Sequence, residues 1–188
     1  FLTVGGNGVM MTSANGLNWT ERNIPLLTSV ARGADGYVAV GYNGTVLTSA
    51  EGNSWTLRPS GTPLHLYSVA FGNGTFAAAG QIILSSTNGL DWNVRDSGAN
   101  YDFETVAYVN GVFMTVGANG AIKVSTNGVA WSSRSSGTTA TLYGIAYGNG
   151  TFVLTGAGAT IRTSADGMNW IPRTSGTVQD INGVTYGN

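Results

Sequence analysis

The sequence predicts an all-β protein built as a radial array of five four-stranded antiparallel sheets, and three observations carry that expectation. A short phrase ending in tryptophan returns five times, at Trp19, Trp55, Trp92, Trp131 and Trp170, with gaps of 36, 37, 39 and 39 residues. Between the returns lie β-branched and aromatic runs broken by Gly, Asn and Asp turns, with no helical period. The two ends of the chain are complementary parts of one unit. A fixed period of this size marks a propeller or a solenoid. Complementary ends favour the closed ring, since a linear solenoid has no need of them.

Each unit divides into four strands. In the last complete one, LYGIAY is a strand and GNG turns the chain. TFVLTG is the second strand, TIRTS the third, and ADG leads into MNWIPR as the fourth. Gly and Asn in the gaps supply the positive φ that tight hairpins require. Columns recur between units. Gly5, Gly41, Gly80, Gly117 and Gly156 end the second strand. Val30, Val69, Val106, Ile145 and Val184 sit in the first strand, each followed by a small residue, Ala31, Ala70, Ala107, Ala146 or Thr185. Adjacent residues of a strand point to opposite faces. The branched column therefore fills one interface between sheets, and the small column lets the next sheet approach.

The first unit is split. FLTVGGNG opens the chain as a second strand without a first, and INGVTYGN closes it as a first strand without a second. Joined, they restore the pattern, so one blade is expected from about 1–24 plus 180–188. The others are expected at about 26–60, 65–97, 102–136 and 141–175. The expectation is a single-domain five-bladed β-propeller, closed by pairing the C-terminal strand into the N-terminal blade. Such closure removes exposed strand edges.

The recurring phrase reads TSANGLNW, TSAEGNSW, SSTNGLDW, VSTNGVAW and TSADGMNW. Its S-x-[D/N/E]-G-x-x-W pattern resembles a short variant of the Asp-box, or BNR, repeat of sialidase-type propellers. The resemblance implies a propeller hairpin and carries little about function. The residue chemistry agrees with a structural role. Asn15, Glu51, Asn88, Asn127 and Asp166 stand where a short side chain accepts hydrogen bonds from its own turn. The Trp then plugs the space between blades. Glu51 is the poorest turn former of the five, so its box is expected to be the loosest.

Arg22, Arg58, Arg95, Arg134 and Arg173 each follow a box Trp by three residues, an offset that puts Arg and Trp on opposite faces of the strand. Each stem is expected to lie along the neighbouring blade. The resemblance raises the question of sialidase chemistry, which uses three arginines on the substrate carboxylate and a Tyr–Glu pair on a six-bladed ring. Here the arginines recur once per blade on outer strands, so that constellation is absent. Five-bladed glycosidases place acids at the channel mouth, and the acids near first strands are Asp102, Glu104 and Asp180. Asp102 and Glu104 share a strand and a side, but ordinary turn acids explain all three. His65 is the only histidine and has no ligand cluster around it in sequence. No catalytic residue, metal site or cofactor is expected, and the chain is not read as an enzyme.

Composition excludes other classes. Only 9% of the 188 residues are charged, against roughly 25% in an average globular protein. The net charge is −1, with Lys123 the only lysine. Nucleic-acid binding would need a basic face. No apolar run approaches the ~20 residues of a membrane span. The chain has no cysteine. Low charge with abundant Gly, Ser, Thr and Asn suggests a secreted or cell-surface protein. The start at Phe1 rather than Met suggests a processed or excised chain, forming a monomeric ring unless it belongs to something larger.

Function is then sought where the repeats differ. The face opposite the box hairpins gathers the turns after the second strands and the divergent connections between blades. It carries Tyr42, His65, Tyr67, Tyr101, Asp102, Tyr143, Gln179 and Asp180. Aromatic faces beside amide and hydroxyl groups suit sugars, and Tyr-bearing surfaces also suit proteins. The expectation is a non-catalytic binding or display module, lectin-like in the first reading. The alternative is a protein-interaction or scaffold domain of a larger protein.

Overall fold

In the computed structural model, residues 1–5, 9–23, 26–95 and 102–187 are described. They form nineteen strands, all antiparallel, in five separate sheets. The first sheet has three strands, β1 (Leu2–Gly5), β2 (Val9–Thr12) and β3 (Thr20–Asn23). The second has four: β4 (Leu27–Arg32), β5 (Tyr37–Gly41), β6 (Val46–Ser49) and β7 (Thr56–Arg58). The third runs β8 (Leu66–Gly72), β9 (Thr75–Gly80), β10 (Ile83–Ser86) and β11 (Asn93–Arg95). The fourth runs β12 (Phe103–Val109), β13 (Val112–Gly117), β14 (Ala121–Ser125) and β15 (Ser132–Ser135). The fifth runs β16 (Leu142–Gly148), β17 (Thr151–Gly156), β18 (Thr160–Ser164) and β19 (Ile171–Arg173). Every sheet is an up-and-down meander in chain order.

The core lies between sheets, and the two-faced first strand explains how. Ala31 packs with Val69 between the second and third sheets. Ala70 packs with Val106 between the third and fourth, and Ala107 with Ile145 between the fourth and fifth. Each interface thus joins the small column of one sheet to the branched column of the next. The glycines ending the second strands have a steric cause. A Cβ at Gly41, Gly80, Gly117 or Gly156 would strike the carbonyl oxygen of Leu26, His65, Asp102 or Thr141, each directly preceding the first strand.

One expectation differs from the structure. The C-terminal segment was expected to add a strand to the first sheet, but no strand is described after Arg173 and that sheet has three. Residues 181–187 dock instead by their face on the fifth sheet. Gly144 abuts Gly183 and Val184, and the ring of Tyr186 covers Gly148. Tyr108 covers Gly72 in the same way, so the tail occupies the place that a following sheet's first strand takes. Packing by a face constrains the tail without requiring a partner along its hydrogen-bonding edge.

Candidate functional site

The box hairpins are built by local hydrogen bonds. The hydroxyls of Ser49, Ser86, Ser125 and Ser164 accept from the backbone N–H of Gly52, Gly89, Gly128 and Gly167 at 2.8–2.9 Å. The side chains of Asn15, Asn88, Asn127 and Asp166 each accept two further backbone N–H bonds. Among the described residues Glu51 makes no such pair, since its longer side chain overshoots the turn. The indole N–H of Trp19, Trp55, Trp92 and Trp131 donates to the box glycine carbonyl at 3.0–3.1 Å. Each Trp also meets an aromatic within one residue of the start of a second strand: Phe1, Tyr37, Phe76, Phe113 or Phe152, with centroids 6.3–6.4 Å apart. Sequence reasoning overlooked that column, although its spacing from the Trp repeats. These bonds engage the box residues within the scaffold.

The arginine column lies on the other face. Arg58, Arg95 and Arg173 donate from Nε to the hydroxyls of Thr48, Ser85 and Thr163 at 2.7–2.9 Å. Arg134 has Val124 at that position and donates instead to the Ser133 carbonyl at 3.2 Å. The side chain of Arg22 lies outside the described residues.

At the opposite end, the first strands and the turns after the second strands meet. Tyr42 begins a 3-10 turn, Tyr42–Gly44, directly after β5, and its N–H donates to the Leu26 carbonyl at 3.1 Å. In that turn Asn43 holds a left-handed backbone at φ 55° and donates its N–H to Nδ1 of His65 at 3.0 Å. The backbone N–H of His65 donates to Oε1 of Gln81 at 3.1 Å. His65 is therefore tied to the second sheet through its ring and to the third through its backbone. Tyr42 meets the His65 ring edge-on at 4.9 Å, and Tyr67 stands 6.2 Å from Tyr42 and 6.3 Å from His65.

Beside this aromatic cluster stand two carboxylates. Burial pushes the Tyr67 hydroxyl up, and the charges of Asp102 and Glu104 add to the shift. Burial also raises the Glu104 carboxyl, with the neighbouring Asp102 charge contributing. Asp102 precedes β12, where its carbonyl accepts from Ala118 N–H at 2.9 Å. Tyr42, His65, Tyr67, Asp102 and Glu104 thus come together from three sheets.

The remaining candidates lie apart. Tyr143 is half-buried in β16, with its carbonyl accepting from the Thr105 hydroxyl at 2.6 Å. Asp180 accepts from Gly158 N–H through Oδ1 at 2.8 Å, and exposed Gln179 donates its N–H to the Thr177 hydroxyl at 3.1 Å. Tyr101 lies outside the described residues. Gly158 thus occupies Asp180 away from the Asp102–Glu104 pair. Asn43 was overlooked at the sequence level, and the YNG turn was the signal that could have found it.

Among the described residues no group of three or more His, Cys, Asp or Glu side chains could hold a metal, and no helix is long and apolar enough to cross a membrane.

Comparison with known proteins settles the fold. The chain superposes on YCF48 bound to a D1 peptide with a TM-score of 0.66 at 18% identity, over 85% of this chain and 57% of that one. The nidogen of a nidogen/laminin complex gives 0.73 at 12% identity, over 98% and 81%. The WD40 β-propeller domain of Doa1 gives 0.64 at 16%, over 82% and 56%. The fold is a β-propeller. Its sheets are blades, and the repeats of the sequence are blade repeats. The chain spans 57–58% of the length of the two YCF48 structures, one of them from Cyanidioschyzon merolae. No family model matches the chain, and no curated protein matches it.

Proposed function

We propose that this propeller is a non-catalytic binding module whose ligand meets the end bearing Tyr42, His65, Tyr67, Asp102 and Glu104. The observation that carries this reading is the Tyr42–His65–Tyr67 cluster, three rings within 6.3 Å of one another beside two carboxylates. Rings offer faces to sugar C–H groups, and Gln81 and the carboxylates accept from hydroxyls. A saccharide is the ligand this chemistry fits first. Loops held by a rigid scaffold are where binding concentrates.

A polypeptide partner is the second reading. It is favoured by the neighbours themselves, one bound to a D1 peptide and one in a complex with laminin. Tyr-rich surfaces serve such contacts equally. On either reading the Asp-box-like repeats act as scaffold, and the tail, docked by its face on the fifth sheet, closes the five blades into a ring. The docking of Tyr186 on Gly148 supports that closure. A secreted or surface-displayed parent fits the low charge.

The test is a glycan array and a peptide array probed with the labelled chain and with Tyr67→Ala and Asp102→Ala variants. Glycan binding lost in both variants supports the first reading, and peptide binding lost in both supports the second. Binding that survives both substitutions, or blank arrays, would remove this end as the site.

A further inference from the structure

The interface between the second and third blades lacks a side chain that later blades supply. The residue before the second-strand aromatic is Thr75, Val112 and Thr151 in the third, fourth and fifth blades, and Gly36 in the second. Thr75 is buried, and its Cγ2 would lie 3.0 Å from a Cβ at Gly128, the box glycine of the next blade. Gly36 has no side chain to send toward the next box. A Cβ at that position would strike the Ser49 carbonyl oxygen, and the backbone holds φ 139°.

The second blade departs again in what covers that aromatic. Phe76, Phe113 and Phe152 each meet a first-strand ring, Phe71, Tyr108 or Tyr147, with centroids 4.5–4.8 Å apart. Tyr37 has Arg32 there instead, with its Cζ 5.7 Å from the ring centroid.

A cavity of about 450 Å³ opens between these two blades at the box-hairpin end. That volume falls within the range of small-molecule sites. Tyr37, Phe71, Phe76 and Leu90 stand in its wall, and Arg58 and Asp35 are the charged side chains among the described lining residues. Asp35 is exposed in the loop before Tyr37.

Several polar groups of the wall are already engaged in the scaffold. The Ser49 hydroxyl accepts from Gly52 N–H, and Asn88 Oδ1 accepts from the N–H groups of Leu90 and Asp91. A polyol would find those partners spent, whereas an apolar ring finds three aromatic side chains. Arg58 is held on the wall by its Nε, which donates to the Thr48 hydroxyl at 2.9 Å. That bond leaves the terminal amino groups of the guanidinium to meet a carboxylate.

We propose that this cavity binds a small aromatic carboxylate, with its ring among Tyr37, Phe71 and Phe76 and its carboxylate on Arg58. Ring contacts add to the burial of apolar surface, and the guanidinium fork suits a carboxylate. The site lies at the end opposite the Tyr42–His65–Tyr67 cluster and does not depend on a ligand there.

The test follows the backbone amide signals of the isotope-labelled chain by NMR during titration with 3-phenylpropionate. Amides of residues 35–38 and 87–90 should shift saturably. Propionate, which lacks the ring, and phenethylamine, which carries the opposite charge, should each bind about tenfold more weakly or worse. Arg58→Gln should weaken 3-phenylpropionate about tenfold or more, as loss of a charge-assisted hydrogen bond predicts. Asp35→Asn should not weaken it, and Arg173→Gln, at the same position of the fifth blade, should leave it unchanged. Absence of saturable shifts in those two segments, phenethylamine or propionate binding as tightly as 3-phenylpropionate, or equal loss in Arg173→Gln and Arg58→Gln would each overturn the proposal.

Discussion

The ring of Tyr186 lies against Gly148, so closely that a side chain at 148 would occupy the ring's own space. The contact joins the last residues of the chain to the first strand of the fifth blade, as Tyr108 on Gly72 joins the fourth blade to the third. Gly148→Ala is therefore expected to displace the tail and destabilise the chain by about 1–3 kcal/mol, the usual cost of overpacking. Tyr186→Ala should cost less in the Gly148→Ala background than in the parent, because the contact is already lost. Denaturant unfolding of the double-mutant cycle measures both. Equal costs in the two backgrounds would show that the ring's seat contributes nothing.

Glu51 stands where the other boxes have Asn or Asp. Glu51→Asn should add the pair of N–H bonds that Asn88 and Asn127 accept in their boxes. The expected gain is about 0.5–1 kcal/mol, read as a higher unfolding midpoint. A crystal structure of the variant should show both bonds.

Asp166 accepts from the N–H groups of Asn169 and Met168, and these bonds hold its carboxyl well below the usual carboxylate range. A depressed value in the folded state stabilises at pH above the unfolded value, near 4. That stability is lost as pH falls toward the folded value. Acid unfolding should therefore become shallower in Asp166→Asn, which keeps the acceptor oxygen and cannot protonate. The parent's advantage over the variant should be greatest at neutral pH and shrink as pH falls from the unfolded value toward the folded one.

Glu104 behaves oppositely, because burial and the Asp102 charge raise its carboxyl. A raised value means that the ionised form is disfavoured on folding, so Glu104 costs stability once pH exceeds its folded value. Glu104→Gln should therefore be more stable than the parent at neutral pH, and the gain should fade in acid as the parent carboxyl protonates. Chemical denaturation at several pH values checks the sign. If the same variant loses ligand, the carboxylate is kept at the expense of stability, as binding sites often require.

Much of this protein was legible in its sequence because its information is repeated. Five boxes, five arginines and the paired small and branched columns predicted the strands, the turns and which face meets which neighbour. These features depend on contacts within a hairpin or between identical positions of adjacent blades, so spacing alone reports them. The candidate site was legible only as a list. Tyr42, His65 and Tyr67 were named with Tyr143, Gln179 and Asp180 because all share one face. Whether they touch depends on side-chain directions at the ends of different blades, which no repeat encodes.

The sequence alone therefore determined the all-β class, the blade repeat and the inward placement of each column, since those follow from strand alternation and turn chemistry. Tertiary structure decided that His65 is held by Asn43 and Gln81, and that Asp180 is occupied by Gly158. It also decided that the tail docks on the fifth blade by its face, and that Tyr37 and Leu90 line one cavity. Each of those outcomes is a distance between residues far apart in the chain. Such distances are set by how the sheets stack, and a linear pattern carries no measure of them.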